Sequence, residues 1–176
     1  GKPMNFDFES GDLTDWAAVG NAFQDQPIRD DGIASRWPQQ TSNKRGKFFV
    51  AGFEKAFDAG TGTLTSKPFE VTHPFASYLI AGGQNRSTRV ELLLLADGDD
   101  KGTVISEHAG NQREQMQRVL VDLREYQGER VAIRLVDEST GAWGHLNFDD
   151  FRFHTEGDVK ERGWNAPIAK VAATSS

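Results

Sequence analysis

Residues 135 to 153 read Leu-Val-Asp-Glu-Ser-Thr-Gly-Ala-Trp-Gly-His-Leu-Asn-Phe-Asp-Asp-Phe-Arg-Phe. The stretch has the form of two strands flanking a glycine-containing loop, and it gathers Asp137, Trp143, His145, Asn147 and Asp149 within thirteen positions. A sugar presents an apolar C–H face and a ring of hydroxyls, so its site needs an aromatic platform with acceptors and donors around it. A hard cation needs oxygen ligands. The loop carries the residue types for either.

On either side of this stretch, short apolar or alternating segments recur about every ten residues, each closed by Gly, Asp, Asn or Pro, the spacing of an all-β sandwich. The expected strands are Met4 to Glu9, Phe48 to Ala51, Gly62 to Thr65, Phe75 to Ala81, Val90 to Ala96, Val104 to His108, Arg130 to Val136 and His145 to Phe153. In the first, Met4, Phe6 and Phe8 alternate with Asn5, Asp7 and Glu9, the period of a half-buried strand. The Leu-rich run from Val90 reads as central. One segment is ambiguous: Met116, Val119, Leu120, Leu123 and Tyr126 have helical spacing, and periodicity slightly favours a helix over a strand there. Residues 1–155 thus read as one antiparallel β-sandwich of jelly-roll type, and 156–176 as a linker or C-terminal tail.

Composition bounds the function. The 176 residues are 37% hydrophobic and 26% charged, enough for one full core. A net charge of −6 disfavours nucleic acid, whose binding draws on clustered Lys and Arg. The absence of cysteine excludes disulfides, thiolate metal sites and Cys nucleophiles. No apolar run approaches the ~18 residues of a membrane-spanning helix. No nucleophile elbow, zinc-binding His pair or phosphate-cradling loop is present, so an enzyme is not expected.

Several residues are candidates for the chemistry. Asp137, Trp143, His145 and Asp149 form the first constellation, either as a ligand pocket or as an Asp137–His145 hydrogen bond across the two strands with Trp143 plugging the end of the sandwich. Glu9 and Asp149, on the expected first and last strands, can come together as oxygen ligands for a structural Ca²⁺. Arg89 and Glu91, two residues apart on one strand face, offer a donor fork and an acceptor to vicinal hydroxyls, or a plain ion pair. Trp37, in the polar segment Arg36-Trp37-Pro38-Gln39-Gln40, is placed to stack on a ligand or partner, whereas Trp164 is expected to meet an adjoining domain.

Phe-Glu-Ser-Gly-Asp-Leu-Thr-Asp-Trp (8 to 16), Gly20 with Ala22-Phe23, Gln26-Pro27, Gly60 to Ser66, Ile80 to Gly83, Asp97-Gly98, Val121-Asp122-Leu123 and Asp137 to Asp149 occur here in one order. That ordered set resembles the fructan-binding-type modules attached to family 32 glycoside hydrolases, levanase-like, also found in large exported bacterial proteins. The resemblance covers residues 6 to 153. It implies a lectin-like jelly roll without catalytic apparatus, makes Val119 to Leu123 strand against the helical spacing, and places an acid near Glu114 at the ligand. It implies a fructan or other glycan as partner, recognised by a sugar end in a pocket, neighbouring domains in a larger chain, and an extracellular or periplasmic location. The alternative is a sandwich that no longer binds sugar and positions its neighbours through the 30–47 loop and the tail.

Overall fold

Leu146 and Phe148 are fully buried on one side of their strand while Asn147 and Asp149 point the other way, and this alternation organises two layers. The computed structural model describes residues 2–164 and 167–171. The strands are β1 (Trp16–Gly20), β2 (Ile28–Arg29), β3 (Phe48–Ala51), β4 (Gly62–Ser66), β5 (Phe69–Glu70), β6 (Phe75–Gly82), β7 (Thr88–Leu94), β8 (Thr103–Ala109), β9 (Arg113–Asp122), β10 (Arg130–Asp137), β11 (Leu146–His154) and β12 (Lys170–Val171). One sheet runs β1-β4-β10-β7-β8-β12 with β5 also on β10, and the second runs β2-β3-β11-β6-β9. The strand pairings are antiparallel. Tyr78, Ile80, Val119, Val121, Leu146, Phe148 and Phe151 of the second sheet meet Leu64, Val90, Leu92, Ile133 and Leu135 of the first, giving the core of a β-sandwich.

The outer face of the five-stranded sheet is not left to solvent. A smaller apolar cluster there joins Phe49, Ala51, Leu79, Ala81 and Met116 to Ile28 and Ile33. Ile33 belongs to the short helix α1 (Gly32–Arg36), capped by Asp31, whose carboxylate accepts from Ala34 N at 3.1 Å and, on its other oxygen, from Thr41 Oγ1 and Ser42 N at 2.9 Å each. Met116 N donates to Ser42 O at 2.9 Å, so the loop is laid across the sheet and fastened to β9.

Three expectations need correction. Met4 to Glu9 forms no strand: Phe8 takes a positive φ of 59° and the segment wedges its aromatics into the end of the sandwich, Phe6 against Phe69 and Phe151 and Phe8 against Trp16 and Phe148. Alternating aromatics can be buried by a plug as well as by a pleat. The helical spacing around Met116 belongs to strand β9 followed by a single 3-10 turn, Arg124–Tyr126. Both faces of β9 are covered, Val119 and Val121 inward and Met116 outward, so the clean period of two is lost.

The segment expected to leave as linker or tail instead adds a helix, α3 (Glu156–Glu161), begun by a capping box between Thr155 and Asp158. Pro167 O then accepts from Leu120 N at 2.9 Å, Ala169 N donates back to Leu120 O at 3.0 Å, and β12 pairs with β8. Ala169 is buried in the core. The returning chain thereby straps the open side between β9 and β8. Trp164 lies edge-on to His154, with ring centroids 5.0 Å apart, inside this fold. Residues 165, 166 and 172–176 of the expected tail lie outside the described residues.

Candidate functional site

At one end of the five-stranded sheet, outside the core, His145 is held between two acids. Its Nδ1 lies 2.7 Å from Asp58 Oδ1 and its Nε2 lies 2.8 Å from Glu114 Oε1. Asn147 Nδ2 donates to Glu114 Oε2 at 3.1 Å, and Arg36 Nη2 stands 3.7 Å from the same oxygen while donating to Glu54 at 2.5 Å. Glu114 and Asn147 are outward residues of β9 and β11, whereas Arg36 ends α1 and Glu54 sits in the one-turn helix α2 (Phe53–Ala56). Sheet and loops therefore contribute opposite walls.

The aromatics complete a cleft. Trp143 stacks on His145 at 5.5 Å with 24° between planes, Phe53 packs on the ring at 5.2 Å, and the Arg36 guanidinium lies over Phe53. Trp143 holds a positive φ of 62°, which for a bulky residue costs about 1–3 kcal/mol and persists only where its surroundings enforce it. Arg36, Trp37, Gln40, Phe53, Asp58, Glu114, Trp143 and His145 line a cavity of about 320 Å³, with Trp37 exposed at the rim.

Charge in the cleft is set by burial and pairing. Burial opposes the imidazolium of His145, but the hydrogen bonds and charges of Glu114 and then Asp58 outweigh it and raise the pKa of the ring. Burial likewise opposes the Glu114 carboxylate, and His145, Asn147 and Arg36 together lower its pKa. Asp137 is buried behind the cleft and pushed up to about 7, chiefly by burial, against a hydrogen bond from Ser139 N and the charge of His145. The set offers paired donors and acceptors beside an aromatic face.

Of the residues singled out by the sequence, Trp143, His145 and Glu114 converge here. Asp137 stands behind them, and its expected hydrogen bond to His145 is replaced by those to Asp58 and Glu114. Arg89 and Glu91 do not join. They lie on β7 in the other sheet, where buried Glu91 takes Arg89 Nε at 2.7 Å on one oxygen and Arg134 Nε at 2.7 Å on the other. Cross-strand register dictates this, since Arg134 sits opposite Glu91. The sequence reading missed Arg36 as a polar contact, along with Glu54, Asp58 and Phe53.

Glu9 and Asp149 grip one loop from two sides. Glu9 Oε1 accepts from Lys47 N and Phe48 N at 2.9 Å each, and Asp149 Oδ2 accepts from Arg45 N at 2.8 Å. Gly46 between them has φ of 63°, and a Cβ there would come within 2.4 Å of the Glu9 carboxyl carbon. Glu9 lies in a turn, not on a strand. Among the described residues Asp149 Oδ1 is buried without a hydrogen-bond partner, and burial, with the charges of Asp150 and Glu9, pushes Asp149 up to about 8. At that pKa the group carries a proton near neutrality, which a hard cation would have to displace to take the oxygen as a ligand. Among the described residues, no group of three or more His, Asp or Glu side chains forms a ready metal cluster.

No protein-family model matches the chain. Over 144 residues it is 26% identical to the Aspergillus rugulosus protein named "Putative glycosyl hydrolase ecdE", a match covering 78% of this chain and 18% of that protein. The chain thus spans about a fifth of its relative's length. Among solved structures it is similar to the carbohydrate-binding module TmCBM61 in complex with β-1,4-galactotriose, at a TM-score of 0.51 and 18% identity, covering 84% of this chain and 92% of that one. It is also similar to the K2 cleaved adhesin domain of Lys-gingipain, at 0.51 and 19%, covering 84% and 96%. At these identities the likeness is one of fold, and the fold is the β-sandwich jelly roll. No helix among the described residues is long and apolar enough to cross a membrane.

Proposed function

We propose that this chain is a non-catalytic carbohydrate-binding module of the fructan-binding type, part of a larger exported protein, which takes a sugar end in the His145 cleft. The observation that carries the reading is His145 fixed between Asp58 and Glu114 beneath Trp143. The two acids hold the imidazole in place, the second oxygen of Asp58 offers an acceptor to a hydroxyl, Arg36, whose Nε and Nη2 are engaged by Glu54, offers Nη1 as a donor, and Trp143 receives the C–H face. Both acids are engaged with one imidazole, an arrangement that serves recognition better than proton transfer to a glycosidic oxygen. The module-sized match to a far longer glycosyl hydrolase supports a binding segment beside a catalytic one.

A structural Ca²⁺ belongs to the same proposal. Glu9 and Asp149 would hold it with backbone carbonyls of the 43–48 loop, and the ion would supply the missing partner of Asp149 Oδ1.

Retention of the purified chain on immobilised glycans, levan and inulin among them, with Ca²⁺ present, tests the function. Retention competed by the free sugar and lost in a folded Trp143→Ala variant is expected. A chain that passes every glycan, with its fold intact, would replace sugar binding by the reading of a structural or protein-interaction domain. Turnover of a chromogenic glycoside would overturn the non-catalytic assignment.

A further inference from the structure

The His145 cavity does not end at Trp143. A second cavity of about 440 Å³ adjoins it and shares Gln40, Glu114 and Trp143 as lining residues. Trp143 and Glu114 therefore stand between two compartments of one cleft. The chemistry changes across them: the first compartment is lined by Arg36, Asp58, Glu114 and His145, while half of the second's lining is glutamine, Gln39, Gln40, Gln112 and Gln115, with Arg113 balancing the shared Glu114.

We infer that this second compartment is a subsite for a further sugar unit, joined to the one whose end occupies the His145 cleft. This rests on the sugar-binding reading above. An amide both donates and accepts, so four amides match a ring of hydroxyls in either orientation and confer no net charge. All four glutamines are exposed, so their amides exchange water for hydroxyl and no buried network is broken.

Both walls are pinned before any ligand arrives. Asn111 Oδ1 accepts from Arg113 N at 3.1 Å, Asn111 Nδ2 donates to Gln115 O at 3.1 Å, and Gln112 N donates to Gly82 O at 2.8 Å with Gln112 at φ of 54°. Opposite, Gln40 N donates to Trp37 O at 2.8 Å, and Thr41 is tied to Asp31. The backbone of both walls is therefore set beforehand, and the ordering cost of binding falls on the glutamine side chains. The preferred ligand is accordingly an oligosaccharide end of at least two units, not a free monosaccharide.

Calorimetric titration of the full chain, pairing fructose with inulotriose and levantriose and galactose with β-1,4-galactotriose, tests this. For whichever sugar binds, the trisaccharide is expected to bind about tenfold tighter, ~1.4 kcal/mol, than its monosaccharide. A Gln112→Ala/Gln115→Ala double variant should erase that gain, leaving monosaccharide affinity and Tm unchanged. A trisaccharide that binds where its monosaccharide does not counts as a gain and is judged by the same variant. Equal affinities, or a gain that survives the double substitution, would overturn the subsite while leaving the His145 cleft standing. Failure of every sugar to bind would remove both.

Discussion

Glu91 and His145 are mirror images in charge and opposites in use. Glu91 is an acid between two arginines on the seven-stranded sheet, and His145 is a base between two acids at the end of the five-stranded one. Every partner of Glu91 comes from neighbouring strand positions, and both carboxylate oxygens are consumed. His145 draws Asp58 from a loop after α2, and that loop, with α1, raises walls that leave Asp58 a third exposed. Strand neighbours close on one another, whereas a site open to a ligand needs a wall the sheet cannot supply. Asp149 is a third case, with one oxygen held and the other bare.

Glu91→Ala is expected to have the largest effect. Removing one partner of a buried ion cluster leaves the other charges uncompensated, and a loss of about 3 kcal/mol is expected. Urea unfolding should show it, with glycan retention by the folded protein unchanged. Loss of retention at full stability would place Glu91 at the ligand after all.

His145→Ala should do the reverse. A weakening of sugar binding of about a hundredfold, ~2.7 kcal/mol, is expected beside a stability loss of only about 1–2 kcal/mol, because Asp58 is a third exposed and Glu114 keeps Asn147 and Arg36; titration and thermal unfolding of the same preparation read both.

Asp149 gives an intermediate effect with a defined sign. Its folded pKa of about 8 stands above the ordinary 3.8, so the stability it contributes is fully present below 3.8 and is lost as pH rises through about 8. Asp137, at about 7, contributes in the same direction. In chelator, Tm should fall across that window. Ca²⁺ should reverse much of the fall, and Asp149→Asn should both flatten the chelator curve and abolish the response to Ca²⁺. An unchanged Ca²⁺ response in Asp149→Asn would remove the ion from this loop.

The smallest effect is expected at the rim. Trp37→Ala should weaken binding about threefold, ~0.6 kcal/mol, with no change in Tm, because the ring is half exposed and props up nothing in the core.

How much of this was legible in the sequence follows from the same contrast. Strands such as β6, β7, β10 and β11 announce themselves because each buries a continuous or alternating row against the other sheet. β1 does not, since only Trp16 of its five residues is buried, and β9 mimics a helix because both its faces are covered. In the site, Trp143 and His145 were visible because they crowd one loop, and Glu114 because of family resemblance. Asp58 and Glu54 looked like ordinary surface acids, and nothing in local spacing ties them to a residue some ninety positions away. Arg89 and Glu91 misled for the complementary reason, being close in sequence and already satisfied by each other.

The two hydrogen bonds of His145 span 87 and 31 residues of chain. No local fragment can present the cleft, and chain-closure entropy must be overcome over both distances before it exists. Any ligand of the cleft would thus bind only the finished molecule and draw the equilibrium toward it, making the ligand a reporter of completed folding.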